Sequence, residues 1–208
     1  MRYAFGNMGS DVLTATGGAD SLYGGQGEDV VSAANDTVGH NYLSGDLGND
    51  QVVASQGGAD TLHGGRGADT LTTHAAGAGD SVMVGAGDST SASATDETNL
   101  QHILSFASGS DHIVLAGHAA LAVGSGGNLT TYVGGANASE AAALAAAYTY
   151  SFGDGGANAP HIGGTEYLAV QESYGATTAT YLFTADHHAI ALVETSAAGL
   201  QNAGVLAG

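Results

Sequence analysis

The chain has 208 residues, 43% of them apolar but only 6% aromatic, so any core is built mainly from small aliphatic side chains. Twenty acidic residues face two arginines, Arg2 and Arg66, and no lysine; a net charge of -18 argues against nucleic acid and anionic membranes and favours a cationic partner, of which a divalent metal is the simplest. There is no cysteine, which excludes a disulfide scaffold, and no apolar run long enough to insert into a membrane.

The first residues, MRYAFGNMGSD, contain no apolar h-region, so export would use a route other than an N-terminal Sec-type signal. A nonapeptide ladder starts at once. It reads GNMGSDVLT (6–14), ATGGADSLY (15–23) and GGQGEDVVS (24–32), and resumes after three extra residues as DTVGHNYLS (36–44) and GDLGNDQVV (45–53). One further insertion, Ala54, precedes SQGGADTLH (55–63) and GGRGADTLT (64–72), and a degenerate copy, AAGAGDSVM, occupies 75–83. Position four is Gly in every copy but the last, where Ala78 stands. Position six is Asp11, Asp20, Asp29, Asn41, Asp50, Asp60, Asp69 and Asp80 in turn, and position eight is always Leu or Val.

The pattern G-G-x-G-x-D-x-U-x resembles the RTX (repeats-in-toxin) nonapeptide, which implies a parallel β-roll that binds Ca2+. The complete copies at 24–32 and 64–72 carry the resemblance, with Gly24, Gly25, Gly27, Gly64, Gly65 and Gly67 shaping turns around a metal. The residues support the same reading. Glycines at positions one, two and four permit positive φ and let carbonyls turn inward. A short strand follows, with position eight buried.

Two nonapeptides make one coil, so Asp11, Asp29, Asp50 and Asp69 stack on one side and Asp20, Asn41, Asp60 and Asp80 on the other. Coils about 4.8 Å apart place carboxylates where they repel by roughly 3 kcal/mol per pair at an effective dielectric of about 20. Calcium, a hard cation with six to eight oxygen ligands, suits that gap, and on the order of six ions are expected with folding coupled to binding. Asn41 and the Ala33–Asn35 insertion depart from the pattern and weaken the sites beside them. A metal-free solenoid using the Asp residues for Asx turns is the competing reading. GGQGED lacks the third glycine of a dinucleotide-binding loop, and a lysine-free chain has no P-loop.

Beyond residue 90 the character changes. STSASATDETN (89–99) reads as a polar connector, and LQHILSFASGSDHIVLAG (100–117) as two apolar runs about a Ser-Gly-Ser-Asp turn. That segment resembles the strand, F-x-x-G-x-D turn and strand that follow RTX repeats, which makes Asp111 a further calcium candidate; an ordinary hairpin turn is the alternative. SEAAALAAAY (139–148) predicts a helix with Ser139 as N-cap. EYLAVQES (166–173) and TATYLFTADHHAIALVE (178–194) alternate as paired antiparallel strands do. The tail, AAGLQNAGVLAG, resembles the uncleaved signal read by type I secretion machinery.

The expected organisation is therefore an all-β chain, with a calcium-binding β-roll over 1–90 and a β-rich capping and secretion domain with one Ala-rich helix over 91–208. No H-E-x-x-H or G-x-S-x-G motif is present, so neither a zinc metalloprotease nor a lipase is read, and the expected role is not enzymatic. A zinc site using His161 with His187 or His188, and a convergent Ser-His-Asp hydrolase site, remain minor alternatives. Sequons at Asn35, Asn128 and Asn137 are read as coincidence. Because the repeats start at Gly6, an uncapped roll end is expected to pair with another copy. The expectation is a secreted protein that self-assembles head-to-tail into a surface layer or fibre. A calcium-binding secretion module of a larger toxin, protease or adhesin is the rival.

Overall fold

The glycine-rich turns alternate with short strands, and each strand lies parallel to its counterpart one coil away. The computed structural model describes residues 1–74, 79–85, 87–88, 100–107, 110–115, 129–152, 167–184, 189–193 and 205–207. The odd-numbered strands of the roll are β1 (Tyr3–Met8), β3 (Ser21–Gln26), β5 (Tyr42–Leu47), β7 (Thr61–Arg66) and β9 (Ser81–Val84). The even-numbered strands are β2 (Val12–Thr14), β4 (Val30–Ser32), β6 (Gln51–Val53) and β8 (Thr70–Thr72). Odd strands form one parallel sheet and even strands another, so every nonapeptide crosses from sheet to sheet.

The repeat fixes the core. Leu13, Leu22, Val31, Leu43, Val52, Leu62, Leu71 and Val82, the eight aliphatics of position eight, are all buried between the sheets. Their neighbours at positions seven and nine point outward, as strand alternation requires. Stacking identical positions gives one continuous, narrow hydrophobic column, which explains why so few aromatics suffice.

Both sheets run on past residue 90. β10 (Gln101–Leu104) pairs with β8, and β11 (His112–Leu115) pairs with β9, so the two apolar runs lie in opposite sheets and do not pair with each other as a hairpin. Within the tail, β16 (Val205–Ala207) adds beside β11 and ends the seven-stranded sheet. The remaining strands are β12 (Leu129–Asn137), β13 (Tyr167–Tyr174), β14 (Thr177–Thr184) and β15 (Ala189–Val193). β13, β14 and β15 are antiparallel neighbours, and β15 lies parallel to β10, extending the other sheet to nine strands.

The predicted helix is α1 (Glu140–Phe152), one turn longer than the alanine run. Ser139 caps it, its Oγ accepting the Ala142 N–H at 3.2 Å, and Ser151 Oγ donates to the Ala147 carbonyl in the added turn. Ala143, Leu144 and Ala147 are fully buried in a second cluster with Leu168, Val170, Tyr181 and Phe183. Small side chains let the helix sit close to β13. The polar connector 89–99, His161, His187 and His188 lie outside the described residues.

Candidate metal centre

Position-six side chains form two hydrogen-bonded ladders along the roll. On the first side, Asp29 Oδ1 accepts the Asp11 N–H at 2.7 Å, Asp50 Oδ1 accepts from Asp29 at 2.8 Å, and Asp69 Oδ1 accepts from Asp50 at 2.8 Å. On the second side, Asn41 Oδ1 accepts from Asp20 (3.0 Å), Asp60 Oδ1 from Asn41 (2.7 Å), Asp80 Oδ1 from Asp60 (2.9 Å) and Asp111 Oδ1 from Asp80 (2.9 Å). Each step thus ties one coil to the next through a position-six residue. The Asn41 amide oxygen accepts as a carboxylate would, which is why the ladder tolerates it.

The second oxygens distinguish the sides. In the first column Asp11, Asp29 and Asp50 each keep a buried Oδ2 with no hydrogen-bond partner. Glycine carbonyls of the following coil crowd the same space. A Cβ on Gly24 would stand 2.5 Å from Asp29 Oδ2 and 2.7 Å from the Gly45 carbonyl oxygen. One on Gly45 would collide with Asp50 Oδ2 and stand 2.6 Å from the Gly64 carbonyl oxygen. Position one therefore needs glycine for room, and its φ is not positive, contrary to the sequence expectation. Positive φ belongs to position two, as in Gly25 (111°), and position four, as in Gly27 (134°). At position two of the first and fifth copies Asn7 (75°) and Asp46 (76°) take that conformation, the residue types that tolerate it best after glycine.

In the second column the second oxygen is taken by a backbone N–H of its own turn. Asp60 Oδ2 accepts from Ser55 at 2.6 Å, Asp80 Oδ2 from His74 at 3.0 Å and Asp111 Oδ2 from Ala107 at 2.8 Å. Asp20 Oδ2 accepts a longer bond from Thr16 at 3.4 Å and lies 4.0 Å from the Arg2 guanidinium. Asn41 turns its Nδ2 toward Asp36 Oδ2 at 3.4 Å, so the acid missing at position six of that copy reappears at position one. The two columns, expected to be equivalent, are not.

A buried charge without a partner is costly, and the carboxyls respond. Burial, with repulsion from Asp69, Asp29 and Asp46, pushes Asp50 up to about 7 despite the Asp29 N–H bond. Burial likewise pushes Asp69 up to about 6, partly offset by bonds from the Asp50 N–H and from Gln101. Burial also raises Asp80. Burial opposes ionisation of Asp88 too, but His63 Nε2 at 2.7 Å and the Gly85 N–H at 2.5 Å outweigh it and hold Asp88 low. Its bond to Asp88, against the effect of burial, correspondingly raises His63.

Orphaned carboxylate oxygens facing carbonyl oxygens in a glycine-walled cradle are the donor set of a hard cation. Among the described residues no three His, Asp or Glu side chains converge, so such a cation would draw most of its ligands from the backbone. Asp36, Asp88, His63 and Gln101 were not singled out from the sequence. Asp36 could have been found as the acid that compensates Asn41, whereas Asp88 and Gln101 lie outside the repeat and His63 holds position nine, which the repeat does not constrain.

Parallel coils, a glycine cradle and stacked aspartates define a metal-binding β-roll. Residues 5–38, 34–57 and 55–90 match the RTX calcium-binding nonapeptide repeat, which is present in four copies, so residues 5–90, under half of the chain, are an RTX calcium-binding β-roll. A solved structure, the solution structure of the AlgE6R3 subunit from the Azotobacter vinelandii mannuronan C5-epimerase, is similar at 22% identity over 90% of this chain and 72% of that one, with a TM-score of 0.30. No curated protein matches.

Proposed function

We propose that this chain is a secreted structural protein in which calcium orders the roll and ordered copies then associate end to end into an extracellular layer or fibre. The unpartnered, buried Oδ2 atoms of Asp11, Asp29 and Asp50 carry the calcium reading. Those three carboxylates, with the carbonyls of Gly24, Gly45 and Gly64, would hold the ions, which neutralise the stacked charge when bound. The second column, with Asp20, Asn41, Asp60, Asp80 and Asp111, closes through its own backbone and has less need of metal.

Support for association comes from the first coil. β1 and β2 are the edges of their sheets, and Tyr3, Phe5, Met8 and Val12 are 60 to 78% exposed there. Unpaired parallel edges beside an apolar row attract another strand. A second copy is the proposed partner, and its contact would be head-to-tail, which builds filaments rather than closed dimers. The same uncovered coil also fits a preceding segment of a longer toxin, protease or adhesin, for which this chain would be the secretion module.

In this proposal the residues after 90 cap the roll, the tail is read by type I secretion machinery, and no catalytic group is needed. No described helix is long and apolar enough to cross a membrane. Light scattering of the full chain in millimolar calcium and then in chelator separates the readings. Calcium-dependent large species are expected; a monodisperse monomer in calcium defeats assembly. Circular dichroism unchanged by chelator defeats calcium-coupled folding.

A further inference from the structure

The first column does not end as it runs. At Gly6, Gly24 and Gly45 the oxygen contributed by the next coil is a backbone carbonyl, from Gly24, Gly45 and Gly64 respectively. At Gly64, the last turn, that oxygen is Gln101 Oε1. Gln101 opens β10, the next strand of the nine-stranded sheet after β8, and its side chain is 1% exposed.

The other end of the carboxamide is more informative. Gln101 Nε2 lies 2.7 Å from Asp69 Oδ2, 3.1 Å from the Gly65 carbonyl oxygen, 3.1 Å from that of Gly67 and 3.4 Å from that of Asp88. An amide nitrogen has two hydrogens to donate, so four oxygens around it exceed its capacity. Several oxygens converging on one centre is the arrangement a hard cation collects. Four acceptors also fix which end of the side chain is nitrogen. By strand register the equivalents of Gly65 and Asp69 one coil earlier are Asp46 and Asp50, and there Asp50 Oδ2 has no partner.

We propose that the Gln101 carboxamide stands in for a cation at the last turn of the first column. Its nitrogen occupies the ion's place, and its oxygen takes the position that a glycine carbonyl of the next coil fills at the earlier turns. The column accordingly takes ions at the cradles of Asp11, Asp29 and Asp50 and none at Asp69. It also has one turn closed without metal, from which ordering can spread toward the N-terminus. This inference rests on the reading that the first column binds calcium.

The test is calcium stoichiometry of the full chain, by equilibrium dialysis, for the native protein and for Gln101→Glu. Replacing the amide by a carboxylate removes the competing donor and supplies an oxygen ligand, so the variant is expected to bind one more ion per chain. Equal stoichiometry in a variant folded in calcium overturns the proposal. A second measurement avoids dependence on the variant: the Gln101 side-chain NH2 resonances of the native protein, followed by NMR during a calcium titration. They are expected to hold their positions and slow exchange while amides of turns 24–29 and 45–50 shift. Loss of that protection at saturating calcium means an ion displaces the amide, and overturns the proposal. A native protein that binds no calcium instead removes the reading on which both rest.

Discussion

Along the first column Asp29 and Asp50 keep a buried carboxylate oxygen with no hydrogen-bond partner, whereas along the second Asp60, Asp80 and Asp111 give the same oxygen to a backbone N–H of their own turn. At Asp60 and Asp80 the difference goes with chain length. Every insertion in the ladder, Ala33–Asn35, Ala54 and Thr73–His74, precedes a second-side turn. The slack lets Ser55 or His74, five or six residues before the aspartate, swing an N–H onto it. First-side turns keep a constant spacing and glycine at position one, so nothing of their own reaches the oxygen. Where the turn is tight the second oxygen keeps no backbone partner, and where an insertion loosens it the turn's own N–H takes that oxygen.

The sharpest way to break this contrast is a pair of matched substitutions. Asp50→Asn keeps the Oδ1 acceptor and puts an NH2 where the orphaned oxygen stood, facing carbonyls. Calcium affinity is expected to fall by about tenfold or more, since ligand charge sets affinity, while the metal-free protein melts no lower than the native one. Asp60→Asn instead sets an NH2 against the Ser55 N–H, two donors facing each other. It is expected to cost roughly 1 to 3 kcal/mol in chelator with calcium affinity little changed. Calorimetry and thermal melts read both, and similar behaviour of the two variants would erase the distinction between columns.

The pH dependence is a smaller effect. Asp50 and Asp69 are raised in the fold from 3.8 to about 7 and about 6 by burial. Between those limits the folded protein holds more protons than the unfolded one, so without metal stability falls as pH rises. Their contribution is complete below the unfolded value and lost as pH passes the folded ones. Calcium replaces the protons and affinity rises with deprotonation, so the trend should flatten or reverse in its presence. Melting temperatures at about pH 5 and about pH 7.5, in chelator and in calcium, check this. A metal-free melt that rises with pH refutes it.

The smallest expected effect concerns position two. Asn7 there is left-handed, and Asn7→Gly is expected to gain up to about 1 kcal/mol by removing the side-chain penalty. Thr37, its counterpart in a second-side turn, has no positive φ, so Thr37→Gly should lose about 0.5 to 1 kcal/mol instead. Equal signs for the two would show that the turns share one backbone after all.

The repeat made much of this legible. Position eight foretold the core because a two-sheet coil buries one side chain per strand, and position six foretold both ladders because stacked coils place like residues together. Asp111, read as a further calcium candidate, joined the second ladder, and its Oδ2 accepts the Ala107 N–H. The inequality of the sides was present in the sequence too, in position one: Gly6, Gly24, Gly45 and Gly64 alternate with Ala15, Asp36, Ser55 and Ala75. Averaging all eight copies into one consensus concealed it.

By itself, then, the sequence determined what recurs: the coil, the aliphatic stripe, the acid ladders and the calcium-type turns. These depend on contacts between neighbouring copies of one pattern, so each copy carries its own instructions. Tertiary structure alone decided how the pattern stops. The placement of Gln101 on Asp69, the pairing of His63 with Asp88 and the run of β15 beside β10 join residues 25 or more positions apart with no repeat to announce them. Such contacts are fixed by which strand the packed sheets accept next, and no local spacing encodes that choice.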